Sequence, residues 1–290
     1  MAGFFDGFEL TTTRVGDGEL RLRRGGSGPP LLLLHGNPQS HAMWHAVAPA
    51  LAKRFTVICP DLRGYGGSHK PGATPDHAPY AKTAMARDMA ELMDRFGHDR
   101  FQVGSHDRGA RVAHRLALDF PGRVERLAVL DIVPTGEVFR RLSVEVALAC
   151  AGWFFLAQPA PRPETVIGQN PAAYYFGGRE RLFHPEALAD YVRCASRPAT
   201  IHAMCEDYRA GISYDRPLDD ANRGQRRITC PLLALWATDD DMGRLFDVLP
   251  IWHDWADDVS GHAIAAGHYL AEENPDDVLA ALLPFLAATP

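Results

Sequence analysis

The sequence predicts a doubly wound, mostly parallel α/β sheet with a helical cap inserted late in the chain. Three observations carry this. Continuous apolar runs such as Leu31-Leu32-Leu33-Leu34 read as strands buried on both faces of a parallel sheet. Stretches at helical spacing, such as Thr83 to Phe96, alternate with those runs. From Gly136 to Gly224 helical periodicity continues with no convincing parallel strand. The expected division is a core of residues 1–135 and 225–290 and a helical cap of 136–224.

Taken in order, Leu20 to Arg24 reads as one strand of an opening hairpin, with Gly25-Gly26-Ser27-Gly28 as its turn. The Leu31–Leu34 strand ends in His35-Gly36-Asn37-Pro38, small residues that let backbone N–H groups approach a ligand. His41 to Leu51 reads as a helix and Phe55 to Cys59 as a strand. The Gly-rich loop Asp61 to Ser68 lacks the Lys-Ser/Thr that a phosphate-binding loop needs. Phe101 to Val103, Val124 to Val133 and Ile228 to Trp236 read as further strands, with a weakly signalled last one at Asp258 to Ser260. Gln158-Pro159-Ala160-Pro161-Arg162-Pro163 reads as a stiff connector inside the cap, and Pro275 to Leu286 as the final helix.

The stretch Val103 to Arg111 organises the chemistry. A strand leads into it, and Ala110, Ala113, Leu116, Ala117 and Phe120 continue at helical spacing. A residue held between strand and helix in this way sits on a tight elbow at the carboxyl edge of the sheet, the nucleophile position of Gly-x-Ser-x-Gly enzymes. Here that position is Asp107, and His106 stands where the glycine usually precedes. A carboxylate nucleophile attacks a saturated carbon bearing a leaving group and forms an enzyme-bound ester. Water activated by a histidine then cleaves the ester, and N–H groups of the His35 loop and of Arg108 stabilise the oxyanion.

The order nucleophile, acid, histidine assigns Asp107 and His268 to an α/β-hydrolase layout. Two places offer the acid: Asp131, after the strand that follows the nucleophile helix, and the later run Asp239-Asp240-Asp241. Asp131 is favoured; the later run otherwise reads as a solvated turn capping a helix. Arg108 and Arg111 lie three apart and share a helix face, which suits a clamp for an anionic substrate. Two like charges about 4 Å apart repel by roughly 4 kcal/mol at an effective dielectric near 20, so an anion beside Asp107 needs such compensation. The net charge of −6 would not itself attract an anion.

Four segments together resemble the haloacetate (fluoroacetate) dehalogenase family: His35-Gly36-Asn37-Pro38-Gln39, Asp61 to Gly66, His106-Asp107-Arg108-Gly109-Ala110-Arg111, and Met204 to Gly211. The resemblance runs over most of the chain. It implies Asp107 as nucleophile, Asp131 as acid, His268 as water activator, Arg108 and Arg111 as holders of the substrate carboxylate, and a homodimer. It also implies a halide pocket from a His-Trp pair and a Tyr. Trp153 and Tyr208 match the last two, and Gly152 stands at the His position. Losing one donor there would cost about 3 kcal/mol of help to a departing fluoride, so chloro- and bromoacids are the expected better substrates.

The rivals are an epoxide hydrolase or haloalkane dehalogenase, which act on neutral substrates, and an inactive ligand-binding relative. Arg108 opposes the neutral-substrate readings, whereas Asn37 mildly favours the haloalkane one. The absence of basic runs argues against nucleic acid, and no apolar stretch reaches the ~20 residues that cross a bilayer. Met1 to Leu10 has no signal-peptide pattern, and five scattered cysteines suit free thiols, so a cytoplasmic protein is expected. No metal-ligand spacing or dinucleotide fingerprint is present, so no cofactor is expected; the expected partners are a small anionic haloacid and water.

Overall fold

The computed structural model describes residues 3–288. Its strands are β1 Phe8–Val15, β2 Gly18–Gly25, β3 Pro30–Leu34, β4 Thr56–Pro60, β5 Phe101–His106, β6 Val124–Leu130, β7 Leu232–Ala237 and β8 Val259–Ile264. They form one sheet in the order β1-β2-β4-β3-β5-β6-β7-β8. β2 runs antiparallel to β1 and β4; every later neighbour pair is parallel. The central strands are buried almost end to end, as the uninterrupted apolar runs require when helices cover both faces.

The opening hairpin differs from expectation. Its turn is at Gly16-Asp17, and Gly25 to Gly28 instead carries the chain from β2 into β3. β1, Phe-Glu-Leu-Thr-Thr-Thr-Arg-Val, escaped notice because it is an edge strand with mostly polar side chains facing water. The expected helix over His41 to Leu51 is broken into a 3-10 turn, His41–Trp44, and a helical turn, Ala48–Leu51, entered at Pro49. Proline has no N–H to continue a helix and fits only its first turn.

Five helices matter for the site: α1 Lys82–Arg95, α2 Asp107–Asp119, α3 Ala151–Leu156, α4 Pro198–Ala210 and α5 Pro275–Ala287. Between β6 and β7 every named element is helical. A π-helical turn, Gly211–Asp215, extends α4. Among the described residues no helix is long and apolar enough to cross a membrane.

α2 is buried along nearly its whole length, including Arg108, Arg111, His114 and Arg115. Charges so placed need partners. Asp207 on α4 supplies the main one: Arg108 donates to it through Nε at 2.8 Å and Nη2 at 2.7 Å, Tyr65 through its hydroxyl at 2.5 Å, and Lys82 through Nζ. This cluster ties the inserted helices to α2. Asp207→Ala leaves Arg108 and Lys82 buried without their counter-ion, so it should cost about 3–5 kcal/mol of stability. A denaturation midpoint shifted by less than about 1 kcal/mol would contradict the clamp.

Asp219 makes the opposite case. Its Oδ2 accepts from Gly136 N at 2.9 Å, and burial pushes its carboxyl up to about 7. A carboxyl with a raised folded-state pKa contributes stability that is complete below its unfolded value near 4 and is lost as pH rises through about 7. Asp219→Asn keeps the acceptor and removes the charge. It should raise the melting temperature by a few degrees at pH 8 and leave it unchanged near pH 4. An equal gain at both pH values would sink this account.

Candidate active site

The site begins at a backbone turn. β5 delivers Asp107 at φ 45°, in the left-handed region, and α2 starts there. The turn is tight because two glycines permit it. A Cβ at Gly109 would lie 2.3 Å from His35 O, and one at Gly36 would lie 2.6 Å from Asp107 Cβ. Asn37 N consequently reaches Asp107 Oδ1 and donates to it at 2.8 Å. Burial alone would raise the Asp107 carboxyl, but His268, His106, Arg108 and the Asn37 N–H together hold it below the usual carboxylate range. The Asp107 carboxyl is therefore ionised at neutral pH.

Asp131 follows β6 directly and also adopts positive φ, 55°. Its Oδ1 accepts from Ala237 N at 2.9 Å, and its Oδ2 accepts from His268 Nδ1 at 2.6 Å. That assigns the Nδ1–H tautomer and leaves Nε2 as the free nitrogen. Of the later acids, Asp240 lies 3.3 Å from the same Nδ1, while Asp239 bonds the Thr238 hydroxyl and Asp241 pairs with Arg244. His106 is buried beneath the elbow, with its Nε2 at 2.7 Å from His268 O. Burial pushes its ring down to about 3, so it is neutral and donates that bond.

A cavity of ≈ 260 Å³ opens above these groups. Asn37, Asp107, Arg111, Asp131, Trp153, Tyr208 and His268, all singled out in the sequence, line it together. Arg111 is fixed there by Nη1 donating to Val133 O at 2.9 Å and Thr135 Oγ1 at 3.1 Å, and by the Trp153 ring 4.5 Å from its guanidinium carbon. Burial and Arg108 lower its pKa to about 10, so it stays charged at neutral pH. Its Nε is buried with no partner among the described residues.

The expected arginine pair is divided. Arg108 does not line the cavity; it turns to Asp207 and lies over the Tyr208 ring at 4.3 Å. Its guanidinium thus pairs with Asp207 and packs on Tyr208. Gly152 also departs from expectation. It is exposed, and a Cβ there would meet nothing within 4 Å, so the missing side chain is not a gap in the cavity wall.

Several groups at the site were not singled out from sequence. Arg179 lines the cavity and is anchored by Nη2 donating to Tyr175 O at 2.9 Å. Cys150, Met242 and Phe246 add soft apolar wall, with no prior signal in spacing. Asp207 sits 99 residues from Arg108, beyond any local pattern. A larger open depression of ≈ 690 Å³, lined by Arg21, Arg23 and Asp190 among others, contains none of the triad. Asp131, Asp240 and His268 are the one His/carboxylate group among the described residues with ligand atoms within 4.8 Å of one another. Because Nδ1 already donates to Asp131, that group reads as an acid–base relay.

A family model described as alpha/beta hydrolase fold matches residues 29–275. A fluoroacetate dehalogenase from Burkholderia sp is 45% identical over 98% of this chain and 95% of its own length. A soluble epoxide hydrolase from Corynebacterium sp. (strain C12) is 36% identical over 90% of this chain and 91% of its own. Among solved structures, a protein from Nostoc sp PCC 7120, described as an alpha/beta hydrolase, superposes with a TM-score of 0.95 at 48% identity, covering 97% of this chain and 99% of that one. The chain belongs to the alpha/beta-hydrolase fold family, together with the fluoroacetate dehalogenase that it resembles over nearly its whole length.

Proposed function

We propose that the protein hydrolyses short 2-haloacids to 2-hydroxyacids through an ester on Asp107. The observation that carries this reading is Arg111, a fixed, buried cation lining the same cavity as the carboxylate nucleophile. A neutral substrate gains nothing from it. A substrate carboxylate is attracted to it, and that attraction offsets repulsion from Asp107. The likeness to a fluoroacetate dehalogenase supports the same reading.

The two Asp107 oxygens then divide the work. Oδ1 is held by Asn37 N, so Oδ2 attacks the halogen-bearing carbon and halide leaves with the bond pair. In the second step Nε2 of His268 takes a proton from water. The hydroxide attacks Cγ of the ester, and the charge that develops on Oδ1 already faces the Asn37 N–H. Collapse breaks the Cγ–Oδ2 bond, so Oδ2 departs as the hydroxyl oxygen of the product and takes up the proton that His268 accepted. The 2-hydroxyacid leaves, Asp107 is restored, and one oxygen of the restored carboxylate comes from water.

An epoxide-opening reading has one observation in its favour beyond the 36% identical relative: the Tyr208 hydroxyl lines the cavity, where it offers a proton to an opening oxygen. Assaying chloroacetate, a neutral chloroalkane and a neutral epoxide under one set of conditions separates the readings. Chloroacetate should be turned over at least about a hundredfold more efficiently, the effect of roughly 3 kcal/mol from one charge-assisted contact. His268→Asn should stop after the first step, and intact-mass measurement should find one carboxymethyl group on Asp107. A variant that turns over normally, or a parent that prefers the neutral substrates, rejects the haloacid reading.

Halide preference follows from the donors. The cavity offers Trp153, Tyr208 and the buried, unpartnered Nδ2 of Asn37, all neutral. Fluoride needs the strongest stabilisation as it departs. Bromoacetate and chloroacetate should therefore release halide faster than fluoroacetate. Equal or faster release of fluoride would show that these donors suffice.

A further inference from the structure

The structure assigns Asp240 as a second acid of the relay: two carboxylates share the Nδ1–H of His268, and either one holds the imidazole in its working orientation. This rests on the ester mechanism proposed above. The geometry comes from the sheet. β6, β7 and β8 are consecutive neighbours in parallel register, with Leu130 opposite Leu235 and Ala237 opposite Ile264. Their carboxyl ends therefore deliver three loops to one spot. Asp131 comes from the loop after β6, Asp240 from the loop after β7 and His268 from the loop after β8. Asp131 Oδ2 is 2.6 Å and Asp240 Oδ2 3.3 Å from Nδ1. The Asp131 carboxyl is buried and also held by Ala237 N, whereas Asp240 is half-exposed at the cavity wall.

An acid behind a catalytic histidine fixes its tautomer and stabilises the imidazolium that forms when water is deprotonated. Two acids make that charged form more favourable than one does. The groups facing His268 are Asp131 and Asp240 at Nδ1, Asp107 across the cavity, the neutral His106 ring at 4.7 Å between centroids and the Tyr269 ring at 5.4 Å; Arg111 and Arg179 line the same cavity. Burial opposes a charge on His268, but the bonds to Asp131 and Asp240 lift its pKa well above the ordinary value. The price is that the free base is scarce at low pH.

The test uses Asp131→Ala, Asp240→Ala and the double variant. Pre-steady-state release of the first equivalent of halide needs Asp107 but no base, so its amplitude counts competent sites in each protein. Ester hydrolysis should fall by about a hundredfold in Asp131→Ala and by about ten-thousandfold in the double variant, the range over which a general base contributes. In Asp240→Ala the acid limb of the kcat profile should move to lower pH by about one unit, with KM unchanged. Asp131→Ala no faster than the double variant, or an acid limb unmoved in Asp240→Ala, overturns the assignment. A substrate-free measurement stands beside this: imidazole NMR titration, with the His268 signal assigned by its loss in His268→Gln. The His268 pKa should fall in each single variant and fall furthest in the double one; no change on removing Asp240 overturns the assignment even if no haloacid is turned over.

Discussion

The structure depends on keeping one carboxylate ionised inside the protein at a turn that most side chains avoid. Asp107 is buried, at φ 45°, and negatively charged. Burial of a charge is costly unless it is paired or hydrogen-bonded. Here the compensation comes from an N–H at 2.8 Å, from the imidazole opposite and from arginines on the same helix. Each of those groups needs its own position fixed. The two glycines at 36 and 109 exist for this: they bring the His35 loop against the elbow closely enough for Asn37 N to reach the carboxylate.

Compensation of that kind spreads outward. Arg108 helps keep Asp107 ionised but is itself a buried cation, so it requires Asp207, which α4 supplies. Lys82 and Tyr65 complete the same cluster. The inserted helices are thus more than a lid. They carry the counter-charge without which α2 could not bury its arginines. This explains why the run Glu206-Asp207-Tyr208-Arg209 is dense in polar residues yet buried throughout. Tyr208 forms cavity wall, Asp207 neutralises, and Glu206 and Arg209 pair with each other at 2.7 Å.

Much of this was legible in the sequence where the signal is local. Buried parallel strands show as unbroken apolar runs, and the elbow shows as a strand, an acid and a helix in seven or eight residues. Asp131 and His268 each follow a strand, and the rule that ligands bind beyond the carboxyl ends of strands places them together. What escaped was of two kinds. Edge strand β1 is polar on its exposed face and leaves no hydrophobic pattern, and the other edge, β8, shows only weakly and over its first residues, for the same reason. Pairings across distant segments, such as Arg108 with Asp207, leave no periodic trace. The sequence spacing of Arg108 and Arg111 correctly gives one helix face. It does not reveal that a buried aspartate intercepts one of the two.

That interception changes how an anion would be recognised. A pair of guanidiniums flanking a nucleophile would bind a carboxylate strongly in the ground state and gain little as charge redistributes. With Arg108 turned to Asp207, the cavity offers Arg111 as its fixed cation near the elbow, held on one edge by Val133 O and Thr135 and braced on its face by Trp153. Trp153 therefore both lines the cavity and braces the plane of Arg111. On the haloacid reading, a carboxylate paired with Arg111 would hold its substrate in the cavity that Asp107 also lines, and alignment of reacting atoms is worth more to a displacement than added ground-state affinity. The two arginines of one helix face thus serve different partners: Arg108 neutralises Asp207 inside the fold, and Arg111 faces the cavity.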